Sequence, residues 1–110
     1  MKSYLIDEIS EPEIEKIREY LNRYAISSNI EGVFWVTLPE DILSPTQIEH
    51  TECRPHVIAA ELGPNWIKLE FFVRSLKNMK CTCPGFCTKQ QKNHVMKFGD
   101  KMIETLEIKI

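Results

Sequence analysis

The strongest constraint on the fold is a pair of apolar-rich runs, His56–Leu62 and Ile67–Arg74, on either side of Gly63-Pro64-Asn65-Trp66. Proline at the second position and asparagine at the third suit a type I turn in a four-residue hairpin loop. That loop sets Leu62 against Ile67, Ala60 against Leu69 and Ile58 against Phe71, all apolar. On the other face it pairs Glu61 with Lys68 and Val57 with Phe72. A slip of one residue would oppose Ile58 to Glu70 and Glu61 to Ile67, so one register is strongly favoured.

Upstream, Val33–Leu38 is β-branched and aromatic and stops at Pro39, which predicts a third strand. Phe34, Val36 and Leu38 form its inward set. Two helices flank the strands. Ser10 as N-cap, Glu13 three residues on and Pro12 in the first turn predict a capping box. Ile9 and Ile14 stand at the spacing of a hydrophobic staple. Ile14, Ile17, Leu21, Tyr24 and Ala25 then recur at helical spacing, and Ser27-Ser28-Asn29 with Gly32 ends the segment. Thr88 with Gln91 makes a second capping box, and Val95, Gly99, Met102, Ile103 and Leu106 form the apolar stripe of the helix that follows. The expectation is an α+β fold in one domain spanning 1–110. It has two layers, a three-stranded antiparallel sheet with two helices on one face, in the order α-β-β-β-α.

The residues between Pro39 and Pro55 are a long connection for a chain of 110 residues, and connections of that length are often functional. Ser44-Pro45 and Arg54-Pro55 read as turns within it, with a short helical turn near Glu40–Leu43. It carries His50 and Cys53 and leads to His56. Beyond the hairpin lies Cys81-Thr-Cys83-Pro-Gly-Phe-Cys87, which holds three of the four cysteines. Cys81 and Cys83 project to one side of an extended chain, and Pro84-Gly85 is placed to turn Cys87 back towards them. Three thiolates that close suit a soft or borderline ion such as zinc, which takes four N/S ligands. Cys53 is the expected fourth, with His50 and His56, each three residues away from it, as the other candidates. His94 lies seven residues beyond Cys87, at the edge of a helix stripe, and reads as a boundary histidine.

Two other readings compete. Cys87 directly precedes the cap of the last helix, where the helix dipole and Lys80 and Lys89 would favour a thiolate. That is the basis of a thiol-redox protein with Cys81 or Cys83 as resolving thiol. The blander reading is an interaction domain with inert buried thiols. No glycine-rich phosphate loop or Ser/His/Asp arrangement is legible, and Glu61 and Glu70 beside Lys68 and Arg74 read as a salt-bridge lattice. Whether the protein is an enzyme is therefore not legible in these residues.

Net charge is −2, which gives no global pull towards nucleic acid. The charge is uneven, with eight Lys/Arg against two acids from Lys68 to Lys101 and five against twelve in residues 1–67. The lysines of the last helix read as its solvated face, neutralised by the acidic first helix, so nucleic acid is not the expected partner. No apolar run is long enough to span a membrane and the start carries acids, which points to a cytoplasmic protein with reduced cysteines. Trp35, Val57, Ala59 and Phe72 would share the sheet face away from the helices. A face so apolar calls for cover, either by the 39–55 connection or by a second copy of the chain in a homodimer.

Overall fold

A computed structural model describes residues 2–77 and 81–109. The α+β class holds, but the sheet is larger than three strands: seven antiparallel strands are present among the described residues, together with three α-helices. In chain order these are β1 (Ser3–Ile6), α1 (Glu11–Tyr24), β2 (Ile26–Ser27), β3 (Val33–Thr37), α2 (Pro45–Glu49), β4 (His56–Leu62), β5 (Ile67–Glu70), β6 (Phe72–Ser75), β7 (Gly85–Phe86) and α3 (Lys89–Thr105). Single 3-10 turns occupy Glu40–Ile42 and Thr51–Cys53.

The sheet grows beyond three strands because each edge of the hairpin recruits a short neighbour. β1 pairs along β5 with Tyr4 opposite Leu69 and Ile6 opposite Ile67, β2 adds Ile26 opposite Trp35, and β7 adds Phe86 opposite Phe72. The predicted hairpin register is present at Ala60–Leu69, Glu61–Lys68 and Leu62–Ile67. It changes at Phe71. Val57 faces Arg74 rather than Phe72, and His56 faces Ser75. The backbone at Phe71 has left the ladder. Its N–H donates to the Lys2 carbonyl at 2.9 Å, and its carbonyl accepts from Cys87 N–H at 3.0 Å. A shift of two residues keeps the alternation of faces, so the hydrophobic pattern survives the irregularity.

Across four strands, Phe34, Ala60, Leu69 and Tyr4 stand in one row on the core face. The buried stripes Ile14, Ile17 and Leu21 of α1 and Val95 and Met102 of α3 close over the same core. Gly99 permits the closest approach, since a Cβ there would stand 2.9 Å from Leu69 Cδ1 and 3.4 Å from the Tyr4 ring. The Tyr4 hydroxyl donates to Asp100 at 2.6 Å and ties β1 to α3.

Ser10 is the N-cap of α1, but no reciprocal capping box forms. Its hydroxyl donates instead to Glu13 Oε1 at 2.8 Å, and the other Glu13 oxygen accepts from Lys109 N–H at 2.9 Å. That bond draws the Glu13 carboxyl below its ordinary range. Ile9 and Ile14 are both buried, as a staple requires.

On the face away from the helices Val57 is fully buried, while Trp35, Ala59 and Phe72 are half-buried. Phe86 stacks edge-on against Phe72 at 5.2 Å and Arg74 lies over the Phe72 ring at 5.1 Å. The 39–55 connection buries Leu43 in the core. No helix among the described residues is long and apolar enough to cross a membrane.

Leu21 is wholly buried where α1 meets the sheet. Leu21→Ala is expected to cost about 2–5 kcal/mol, read from the denaturant midpoint in chemical unfolding.

Candidate metal centre

Two helix starts, that of α2 in the long connection and that of α3, are each fixed by local chemistry. Ser44 caps α2 in a full capping box, with Gln47 N–H donating to Ser44 Oγ at 3.2 Å and Ser44 N–H to Gln47 Oε1 at 3.0 Å. At the start of α3 the predicted box between Thr88 and Gln91 forms in the same way, at 3.1 and 2.9 Å. Both glutamines are buried, and each uses its remaining polar capacity on a tertiary partner. Gln91 Nε2 donates to Gln47 Oε1 at 2.9 Å and to the Ile42 carbonyl at 3.0 Å, and Gln47 Nε2 donates to the Cys83 carbonyl at 3.3 Å. The two helix starts are thereby locked together and to the cysteine segment.

Beyond α2 the chain turns at His50, which caps the 3-10 turn Thr51–Cys53, and Cys53 N–H donates to the His50 carbonyl at 3.0 Å. The Ser75 hydroxyl holds the Cys53 carbonyl at 2.6 Å and anchors this turn to β6. His50, Cys53, Cys81 and Cys83 meet here, and their ligand atoms all lie within 4.8 Å of one another. His50 Nδ1 is 2.8 Å from Cys81 Sγ and 3.9 Å from Cys53 Sγ, and Cys83 N–H points at Cys81 Sγ from 3.5 Å. A tetrahedral ion with Zn–S bonds of about 2.3 Å needs ligand atoms about 3.8 Å apart. To seat an ion of that size, a pair at the 4.8 Å limit would close by about 1 Å and the 2.8 Å His50–Cys81 pair would open by less than about 1 Å.

Cys53, Cys81 and Cys83 are thus brought together, and the nitrogen donor beside them is His50. Cys87 stands apart from this group. Pro84-Gly85 does not fold the chain back. Gly85–Phe86 runs extended as β7 along β6, carrying Cys87 on into the hydrophobic core. His56, on the core face of β4 and 1 % exposed, takes a neighbouring position with Nε2 3.4 Å from Cys83 Sγ. Its Nδ1 has no hydrogen-bond partner among the described residues. Burial, then the nearby Arg54 charge, hold its pKa below the ordinary histidine value, so the ring is neutral at pH 7. His50 was legible as a candidate only through its three-residue distance from Cys53.

The thiols divide sharply. The hydrogen bond from Cys53 brings the Cys81 thiol down to about 6, and the same bond raises Cys53. Burial drives Cys83 up to about 12 and Cys87 up to about 11. At Cys87 the desolvation outweighs Lys92, the cation that lowers it, which works against a reactive thiolate there. Lys80, invoked from sequence as a second cation for that thiol, lies outside the described residues. All four cysteines are free.

No protein-family model, curated protein or solved structure matches this chain.

Two outcomes are expected. In metal-free protein, iodoacetamide followed by peptide mass mapping modifies half-buried Cys81 first and leaves Cys87 intact. The Cys81 rate falls as pH drops through about 6, because a lowered thiol pKa leaves thiolate available above that value and not below it. Gln91→Leu removes the donor to Gln47 and Ile42 and is expected to cost about 1–3 kcal/mol in chemical unfolding.

Proposed function

We propose that the protein is a non-enzymatic binding module whose irregular half is held by one divalent metal ion, with zinc the best fit. His50, Cys53, Cys81 and Cys83 are the ligands. The observation that carries this reading is the convergence of three sulfurs and one imidazole nitrogen within 4.8 Å. Four N/S donors make a closed tetrahedral set of the kind that serves structure, with no ligand position left for a substrate. Three thiolates select a soft or borderline ion over magnesium or calcium, which prefer oxygen. The cluster joins the turn at 50–53 to the segment at 81–83. Metal binding would therefore restrain the two least regular parts of a small domain, where an added staple matters most. A reducing cytoplasmic setting keeps the thiols available as ligands.

Protein purified without chelator is expected to carry about one zinc per chain by elemental analysis, and chelation should lower its melting temperature. His50→Ala, Cys53→Ser, Cys81→Ser and Cys83→Ser should each release the metal and cost several kcal/mol, whereas Cys87→Ser should keep it. Metal-free wild type, with all four ligand variants melting within about 2 °C of it, would rule the reading out; a shift that small corresponds to less than about 1 kcal/mol in a domain of this size.

A further inference from the structure

The two long helices lie side by side on the sheet, and a groove runs between their outer flanks. Its floor is aromatic. Tyr20 meets Tyr24 at 4.7 Å and Phe98 edge-on at 6.3 Å. The groove is made of two adjoining hollows of about 700 and 500 Å³ that share Tyr20, Tyr24 and Thr105. Lys16 and Arg23 line it from α1, and Lys97 and Lys101 from α3, with His94 beside them. Glu19 is the one acid in the lining.

Sequence reasoning expected the acids of α1 to neutralise the lysines of α3, and the structure arranges them otherwise. None of the four cations makes an ion pair among the described residues, where the ion pairs are Arg18–Glu15, Arg54–Glu40, Lys68–Glu61 and Arg74–Glu70. Glu13 accepts from Ser10 and Lys109 and feels the Lys16 charge only at longer range, and Asp100 accepts from Tyr4. A chain of net charge −2 thus gathers four cations without a close ion pair around one exposed ring, Tyr24, and two half-buried ones, Tyr20 and Phe98.

We propose that this groove binds single-stranded nucleic acid, with bases stacking on its tyrosines and phosphates held by its lysines and arginine. Tyr24 is 61 % exposed and offers a ring to a flat partner. Cations flank that ring on both walls, the combination by which single strands are held with little sequence preference. An acidic peptide would satisfy the cations and leave the rings without a matching surface. A duplex keeps its bases stacked on one another and unavailable to the tyrosines. The proposal does not depend on the metal site, which is built from other residues.

The test is fluorescence anisotropy of the full-length protein with a labelled oligothymidylate of about 12 nucleotides, a length that exceeds the smallest single-strand sites. Binding is expected at low salt, with log K falling against log salt at a slope of about −2 to −3 for three to four phosphate contacts. Tyr24→Ala should weaken it about tenfold at unchanged thermal stability, the loss expected for one stacked base. The pair Lys97→Glu and Lys101→Glu should weaken it by about tenfold or more and flatten the slope. Three results would overturn the proposal: no binding at low salt, Tyr24→Ala binding as wild type does, or polyglutamate competing as well as unlabelled oligothymidylate. The last would assign the groove to acidic peptides.

Discussion

The arrangement of the irregular half depends on the buried amide pair Gln47–Gln91. Each glutamine closes a helix N-terminus with its backbone N–H and its side-chain oxygen, and each still has an NH₂ group to place. Those groups meet the Ile42 and Cys83 carbonyls, which have little water to turn to so close to the core. A buried carbonyl without a donor is costly, so the pair links the position of α2 to that of α3. Glutamate in either place could still accept from the N-cap but would have no N–H to give. The residue type is fixed by tertiary demand as much as by capping.

That amide lock brings Cys83 within reach of His50 and Cys53, and metal chemistry would finish what it begins. Three thiolates and one neutral imidazole around a divalent ion leave a net charge of −1 in a partly buried place, which calls for N–H donors. Cys83 N–H, aimed at Cys81 Sγ, is one. His56 is placed to be another. Against a ligating Cys83 thiolate only its Nε2–H tautomer is attractive, and that leaves the partnerless Nδ1 as a bare lone pair rather than a stranded donor.

The regular elements were legible because each rests on many residues. The apolar period of α1 and α3, the capping box of α3 and the hairpin register next to the turn each express a preference set by several residues close in sequence. β2 and β7 have two residues apiece, too few to carry an alternation, and exist because an edge was free to pair with them. The site was legible in its chemistry and not in its membership. Cys87 looked equivalent to Cys81 and Cys83 by spacing, yet pairing of Gly85–Phe86 with β6 decided whether the chain would turn, and that pairing is non-local. The same limit hid the shift at Phe71, set by the Lys2 carbonyl at the far end of the chain.

Helical geometry explains why one helix serves both the core and the groove. At about 100° per residue, Gln91, Val95, Gly99 and Met102 fall within a narrow arc that faces the sheet, and all four are buried. Phe98, Thr105, Lys101 and Lys97 follow on one side of that arc, from about a sixth of a turn from its middle at Phe98 to nearly half a turn at Lys97, and line the flank towards Tyr20 and Tyr24. The rotation of the helix is not free. Gly99 sits where an added Cβ would stand 2.9 Å from Leu69 Cδ1, Asp100 is held by Tyr4, and Gln91 is held by Gln47 and Ile42. With rotation fixed at three points along its length, the cations stand towards α1 as a consequence of core packing, and they need no ion pair to hold them there.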